Sequence, residues 1–287
     1  MTRARYLLWA IIALWVVVVL IPVASLLLWS FLRLEDYHFV LSPTWDAYQQ
    51  VFQSGRYNVT VATLRIAATV TAIELVVAVP VALWLAKGVR SPTVQSLALA
   101  LLTIPFFISL AARTIVFRPV LGRTGFINTI LIDLGLVDRP IDSLLFSEFA
   151  VHLGLLGPGF PPMVLPIFMA MALIDDDLIE AGRDLGGAPH RVFQDVILPL
   201  SMPGIVAGIV FTFVPMLGET VVPQLLGGSN VTMLGTTISS LVQVLNYPVA
   251  AALSVIVLLI LSLFLVVMRL AAPRHVSFGA AFEGLRR

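Results

Sequence analysis

The chain has 287 residues, of which 59% are hydrophobic and 11% charged, with a formal net charge of +1. Soluble domains carry roughly a quarter charged residues, so this composition excludes an ordinary water-solvated globule and points to a polytopic membrane protein. The absence of cysteine excludes disulfides, thiolate metal sites and cysteine nucleophiles, and no basic run offers itself to nucleic acid.

A helix needs about 20 apolar residues to cross roughly 30 Å of hydrocarbon. Six intervals satisfy that: 7–29, 60–86, 94–117, 150–173, 203–223 and 248–270. The first is bounded by Trp9 and Trp29, rings suited to the two interfaces. Its start, Arg3 and Arg5 ahead of an apolar run, has the shape of a signal peptide. The run is too long for one, offers no small-residue cleavage site and is followed by further spans. The second span contains Arg65 and Glu74; the third contains Phe106, Phe107, Arg113 and Phe117. In the fourth, Pro158, Pro161, Pro162 and Pro166 stand among Gly154, Gly157 and Gly159, which predicts an irregular span. Non-helical backbone at membrane depth is tolerated only against protein or water, so this span is the expected moving, pore-lining element. The fifth includes Pro215 and Glu219. The expected fold is an all-α membrane protein with six transmembrane helices in a single domain over 1–287, without a linker or soluble domain.

With six spans, both termini share a side. Arg3, Arg5, Lys87, Arg90, Arg183, Arg191, Arg269, Arg274, Arg286 and Arg287 collect there, while Arg33, Arg56, Arg118, Arg123 and Arg139 are spread over longer loops opposite. That excess predicts cytoplasmic termini, with residues 174–202 on the same side and loops 30–59, 118–149 and 224–247 facing outward. Among the basic residues only Lys87 is lysine, in keeping with GC-rich bacterial coding.

Residues 174–202 are far more than a reversal of direction requires. Asp175, Asp176 and Asp177 suit a helix start, where the macrodipole favours negative charge. A helix over 178–185 would show Glu180, Arg183 and Asp184 on its polar side and offer Leu178, Ile179, Ala181 and Leu185 for burial. Gly186 and Gly187 end it, and Pro189 permits a new start. Val192, Phe193, Val196 and Ile197 then form an apolar stripe at helical spacing. From pattern alone the segment is either a docking surface for a cytosolic partner or an amphipathic stretch lying on the membrane.

The string E-A-G-R-D-L-G at 180–186, followed by V-I-L-P at 196–199, resembles the E-A-A-x-x-x-G and I-x-L-P signature of permease subunits in ABC importers that use a binding protein. Glu180, Ala181, Gly186, Leu198 and Pro199 match; Gly182 replaces the second alanine, and Val196 the usual isoleucine. I-P-F-F-I-S-L-A-A-R-T at 104–114, G-R-T-G-F-I-N at 122–128 and P-M-L-G-E-T-V-V-P-Q-L-L-G-G at 215–228 are similar to the spermidine/putrescine type of such permeases. Ala62 stands where that type often has asparagine, and Glu74 where a small residue is common.

The resemblance implies a type I ABC importer transmembrane domain in a bacterial inner membrane, with no catalytic group of its own. It implies that 174–202 couples to a cytosolic ATPase dimer through Glu180, Ala181, Gly182, Asp184, Gly186, Gly187, Arg191, Leu198 and Pro199. ATP and Mg would be held by that ATPase, and this chain would bind no cofactor. A second permease subunit, a different chain or a second copy, and an extracytoplasmic solute-binding protein complete the expected assembly. The expected solute is a polyamine such as spermidine or putrescine. The same architecture also serves opines, aminophosphonates, thiamine, metal ions and oxyanions.

Among the charges inside spans, Glu219 is read as a contact for a protonated amine, with Pro215 freeing the Phe211 carbonyl nearby, or else as the partner of Arg113 or of the second subunit. Glu74 reads as a packing or subunit-interface acid. Arg65 and Arg113 read as snorkelling to the outer boundary. Phe106 and Phe107, with Phe117, either line the pathway through cation–π contacts or pack between helices. The four histidines are scattered and form no metal spacing. A stand-alone channel or secondary transporter would account for the spans but not for 174–202, and no inverted repeat supports it. An intramembrane enzyme would need a catalytic motif that the chain lacks.

Overall fold

The computed structural model describes residues 2–35, 38–40 and 42–271. Arg274, Arg286 and Arg287, three of the arginines in the orientation argument, lie outside the described residues. Among the described residues, six stretches are long and apolar enough to cross a membrane. Helix α1 (Thr2–Trp29) leads into an antiparallel hairpin of β1 (Arg33–Glu35) and β2 (His38–Val40), then the short α2 (Asp46–Gln53). Helix α3 (Arg56–Leu83) runs on through a π-helical turn at Trp84–Gly88, and α4 (Pro92–Thr103) follows. The short helices α5 (Leu110–Ile115), α6 (Phe117–Leu121) and α7 (Phe126–Asp133) lead to α8 (Glu148–Ala172). Then come α9 (Asp176–Asp184), α10 (Pro189–Val192), a π-helical turn at Phe193–Ile197, α11 (Leu198–Leu217), α12 (Leu234–Gln243) and α13 (Tyr247–Ala271).

Helix α8 is the central element, packed along both α3 and α11. Its approach to α11 is close because Gly204 and Gly208 share one face of α11. A Cβ at 204 would collide with the Pro166 carbonyl, and one at 208 would lie 2.9 Å from that of Met163. Small residues at this spacing let helix backbones meet inside a membrane, where packing rather than water drives association. The core divides along the bundle. Ile66, Val70, Val151, Leu155, Phe213 and Leu226 fill one end. Leu85, Met163, Ile167, Met171 and Ile205 fill the other, where they meet Ile174, Ile179, Val192 and Ile197. Helix α1 packs mainly on α13 and leaves a broad apolar surface exposed, which calls for lipid or another apolar partner.

Three expectations about the spans are corrected. The predicted third span, 94–117, is not one helix; the stretch long and apolar enough to cross is Leu110–Asp133, so the first part of the expected outward loop 118–149 falls within a span. Pro105 carries the chain into a 3₁₀ turn at Ile104–Phe107, and Ser109 restarts a helix by accepting the Ala112 N–H at 3.2 Å. The fourth span, expected to be irregular, is a continuous α-helix capped by Ser147. Its Gly154, Gly159 and Pro161 are buried where neighbouring elements pack, and protein contact of this kind lets prolines stay within a membrane helix. The fifth helix stops at Leu217 rather than near 223, and the chain leaves helical geometry over 218–220.

At the end of the bundle away from α9 the connecting segments are cross-tied. The Thr63 hydroxyl accepts the Leu234 N–H at 2.9 Å, and the Asn128 amide both accepts from and donates to the backbone of Ile141.

Candidate functional site

Helix α9 starts two residues before the pattern predicts. Asp175, in extended backbone, accepts the Asp177 N–H at 3.2 Å, and Asp176 and Asp177 occupy the first turn while Arg183 sits in the last. Each charge thus lies at the pole of the helix that favours it. The helix ends in a Schellman motif. Gly186, at φ +80°, donates to the Arg183 carbonyl at 2.9 Å, and Gly187 donates to the Gly182 carbonyl at 3.1 Å. Gly187 is confined for a second reason: a Cβ there would stand 2.6 Å from the Gly182 oxygen. The chain then turns through Ala188 into α10, with Pro189 in its first turn.

The inward stripe of this elbow is Ile179, Val192 and Ile197, buried against the ends of α3 and α8. Gly182 faces Val192 and Val196. Because Ile179 and Gly182 take that side, Leu178, Ala181 and Leu185, expected to be buried, face out; Leu185 is 89% exposed. Glu180, Asp184, Gly186, Arg191 and Pro199 are exposed too, and Gly187 and Leu198 are half-buried. The outward face therefore mixes acid, base and apolar side chains on a rigid, doubly capped helix. Such a surface is suited to another protein more than to water alone.

One contact at this elbow escaped the sequence reading. Lys87 donates from Nζ to the Ile174 carbonyl and to the Asp176 carboxylate, joining the end of α3 to the start of α9. A lone lysine closing an apolar run was the only available signal.

Arg65 pairs with Glu148 in the first turn of α8, both side chains staying partly exposed. Glu219 lies just past α11, and its Oε1 accepts the N–H groups of Val221 at 2.7 Å and Val222 at 3.2 Å. It caps the turn that enters the π-helical segment Pro223–Gly227. Among the described residues no ion pair joins it to Arg113, whose Nε is enclosed without a hydrogen-bond partner. Pro215 lies on an exposed face of α11. Phe106 and Phe107 are exposed in the 3₁₀ turn, whereas Phe117 lines a cavity beside Glu74.

Glu74 is buried in α3 with neither carboxylate oxygen hydrogen-bonded. A charged group at mid-bilayer costs about 2.5–3.5 kcal/mol on insertion scales and is normally paired or functional. Thr212 of α11 donates to the Gly159 carbonyl of α8 at 3.3 Å, tying the two helices beside this acid.

Known proteins place this arrangement. The spermidine/putrescine transport system permease protein PotB of Haemophilus influenzae is 35% identical over 261 residues, covering 90% of each chain. PotB of Escherichia coli K12 is 34% identical over 258 residues, covering 88% of this chain and 92% of its own. A chain of a bacterial alginate ABC transporter, crystallised with an alginate-bound periplasmic protein, superposes with a TM-score of 0.70 over 93% of both chains; at 18% identity it speaks to the fold alone. Residues 75–276 match the family described as binding-protein-dependent transport system inner membrane component. With its central helices, its capped elbow and most of its length inside that match, the chain belongs to this family of transport permeases.

Proposed function

We propose that this chain is one of two permease subunits of an ATP-driven importer and that its solute is a polyamine such as spermidine or putrescine. The substrate reading is carried by the 35% identity, over 90% of both chains, to a spermidine/putrescine permease. Glu219 supports it chemically, since a carboxylate in a low-dielectric passage suits a protonated amine and opposes an anion.

In this reading the outward face of α9 and α10, with Glu180, Ala181, Asp184, Gly186 and Arg191, seats in a cytosolic ATPase, while Gly182 and Gly187 shape the elbow behind that face. Leu198 and Pro199 pass its movement to α11. Two ATPase copies hold ATP and Mg, and this chain supplies no group to hydrolysis. The orientation puts both termini in the cytoplasm. The apolar surface of α1 supports burial against lipid or the second permease. A solute-binding protein delivers its load to the opposite end, and closure of the ATPases drives alternating access of the bundle.

Reconstitution with the ATPase, the second permease and the receptor in proteoliposomes tests both parts. Receptor loaded with spermidine or putrescine is expected to stimulate ATP hydrolysis and fill the vesicles. Stimulation by a thiamine- or oxyanion-loaded receptor in place of a polyamine-loaded one would overturn the substrate reading. Glu180→Lys is expected to separate hydrolysis from uptake; normal uptake by that variant would remove the docking role.

A further inference from the structure

Glu74 lies near the middle of the long stretch Arg56–Gly88. It is 1% exposed, and both carboxylate oxygens lack a hydrogen-bond partner. Its space is made by Gly159 of α8, where a Cβ would lie 2.5 Å from Oε1. The packing is thus shaped around a carboxyl, at a position where the resemblance leads one to expect a small residue.

Beside it a cavity of ≈ 490 Å³ opens between α3, α4 and α8, lined by Glu74, Leu101, Phe117, Leu153, Phe160 and Pro161 among others. That volume is within the ~300–1,000 Å³ of small-molecule sites. Gly157 stands on the same wall. The residues four and five positions after it are Pro161 and Pro162, which carry no N–H, so its carbonyl lacks its α-helical donor. The cations nearest in sequence on α3 are already engaged: Arg65 by Glu148, and Lys87 by Ile174 and Asp176.

We propose that Glu74 and the Gly157 carbonyl form an intramembrane subsite for one ammonium group of the transported solute. The apolar walls take the methylene chain, and the Phe117 and Phe160 rings offer cation–π faces. In the arrangement seen here the carboxyl rests against Gly159; solute binding in this subsite requires a change of rotamer that turns it into the cavity. The inference rests on the polyamine reading, which itself requires no acid at this position.

The test uses the complete reconstituted transporter with labelled spermidine. Glu74→Gln is expected to lower uptake per assembled complex at least ~tenfold, with Glu74→Asp retaining more, since a charge in low dielectric is what the subsite supplies. In the wild-type complex, modification of Glu74 by dicyclohexylcarbodiimide, read by mass spectrometry, is expected to be slowed by spermidine. No uptake of spermidine or putrescine by the wild type would overturn the polyamine reading and this subsite with it. Wild-type uptake by Glu74→Gln would overturn the subsite alone. Should that variant fail to assemble, the labelling decides: Glu74 that is unreactive, or reactive without protection by spermidine, rules the subsite out.

Discussion

Lys87 Nζ stands 2.6 Å from the Asp176 carboxylate, bridging the end of α3 to the first turn of α9 while also donating to the Ile174 carbonyl. The two partners differ in setting: the lysine side chain is 16% exposed and the aspartate 75%. Exposed ion pairs contribute only ~0.2–1 kcal/mol, whereas a charged donor on a shielded carbonyl is worth about 1.5–3 kcal/mol. Lys87→Met is therefore expected to lower the unfolding midpoint of the solubilised complex clearly more than Asp176→Asn. If the bridge also transmits motion, Lys87→Met additionally lowers solute moved per ATP hydrolysed. Equal, small effects of the two variants would reduce the bridge to a surface contact.

The glycines of the elbow are expected to split by sign. Gly186 is held at φ +80°, where an L-residue costs ~1–2 kcal/mol, and a Cβ on Gly187 meets the Gly182 oxygen at 2.6 Å. Gly186→Ala and Gly187→Ala should both destabilise and weaken ATPase docking. At Gly182 a Cβ would meet Val192 and Val196 at 3.5–3.6 Å, ordinary contact, and the resembling signature has alanine there. Gly182→Ala should stabilise by about 0.5–1 kcal/mol. Thermal unfolding of the three variants side by side checks the pattern.

Much of this was legible because lipid imposes a length. Five of the six crossings follow from runs of about 20 apolar residues, and the elbow follows from its Gly-Gly stop. What was not legible depends on neighbours. Nothing local says that Pro105 turns the chain after α4 and leaves the third crossing to Leu110–Asp133, while Pro158, Pro161, Pro162 and Pro166 leave α8 whole; the difference lies in α3 and α11 flanking α8. Leu185 is apolar yet faces out because Ile179 and Gly182 already hold the inward side. Arg65 finds Glu148 across a separation that no helical period spans.

The α8–α11 seam should be the least tolerant packing site. A Cβ at Gly204 would run into the Pro166 carbonyl and the Ala170 side chain, and one at Gly208 would press on Met163. Backbone cannot give way as a flexible side-chain end does. Gly204→Val is expected to cost ~1–3 kcal/mol or more and to lower the yield of assembled complex. Unaltered yield and unfolding would show that the two helices separate readily, contrary to the close seam.

Glu219 offers a separation of charge from capping. Its Oε1 takes the Val221 and Val222 N–H groups, and glutamine can present an oxygen at the same place. Glu219→Gln therefore keeps the cap and loses only its charge at a helical start, a term of about 0.3–1 kcal/mol. Glu219→Ala loses the cap as well, at about 1 kcal/mol. If the carboxylate also meets the solute's amine, Glu219→Gln lowers polyamine uptake at least several-fold while unfolding stays near wild type. If capping is its whole role, glutamine transports normally and only alanine fails. Uptake and unfolding measured on both variants distinguish the two, and the expected result is impaired uptake by Glu219→Gln, because a backbone cap alone does not require a full charge on a turn bordering the end of α11 away from α9.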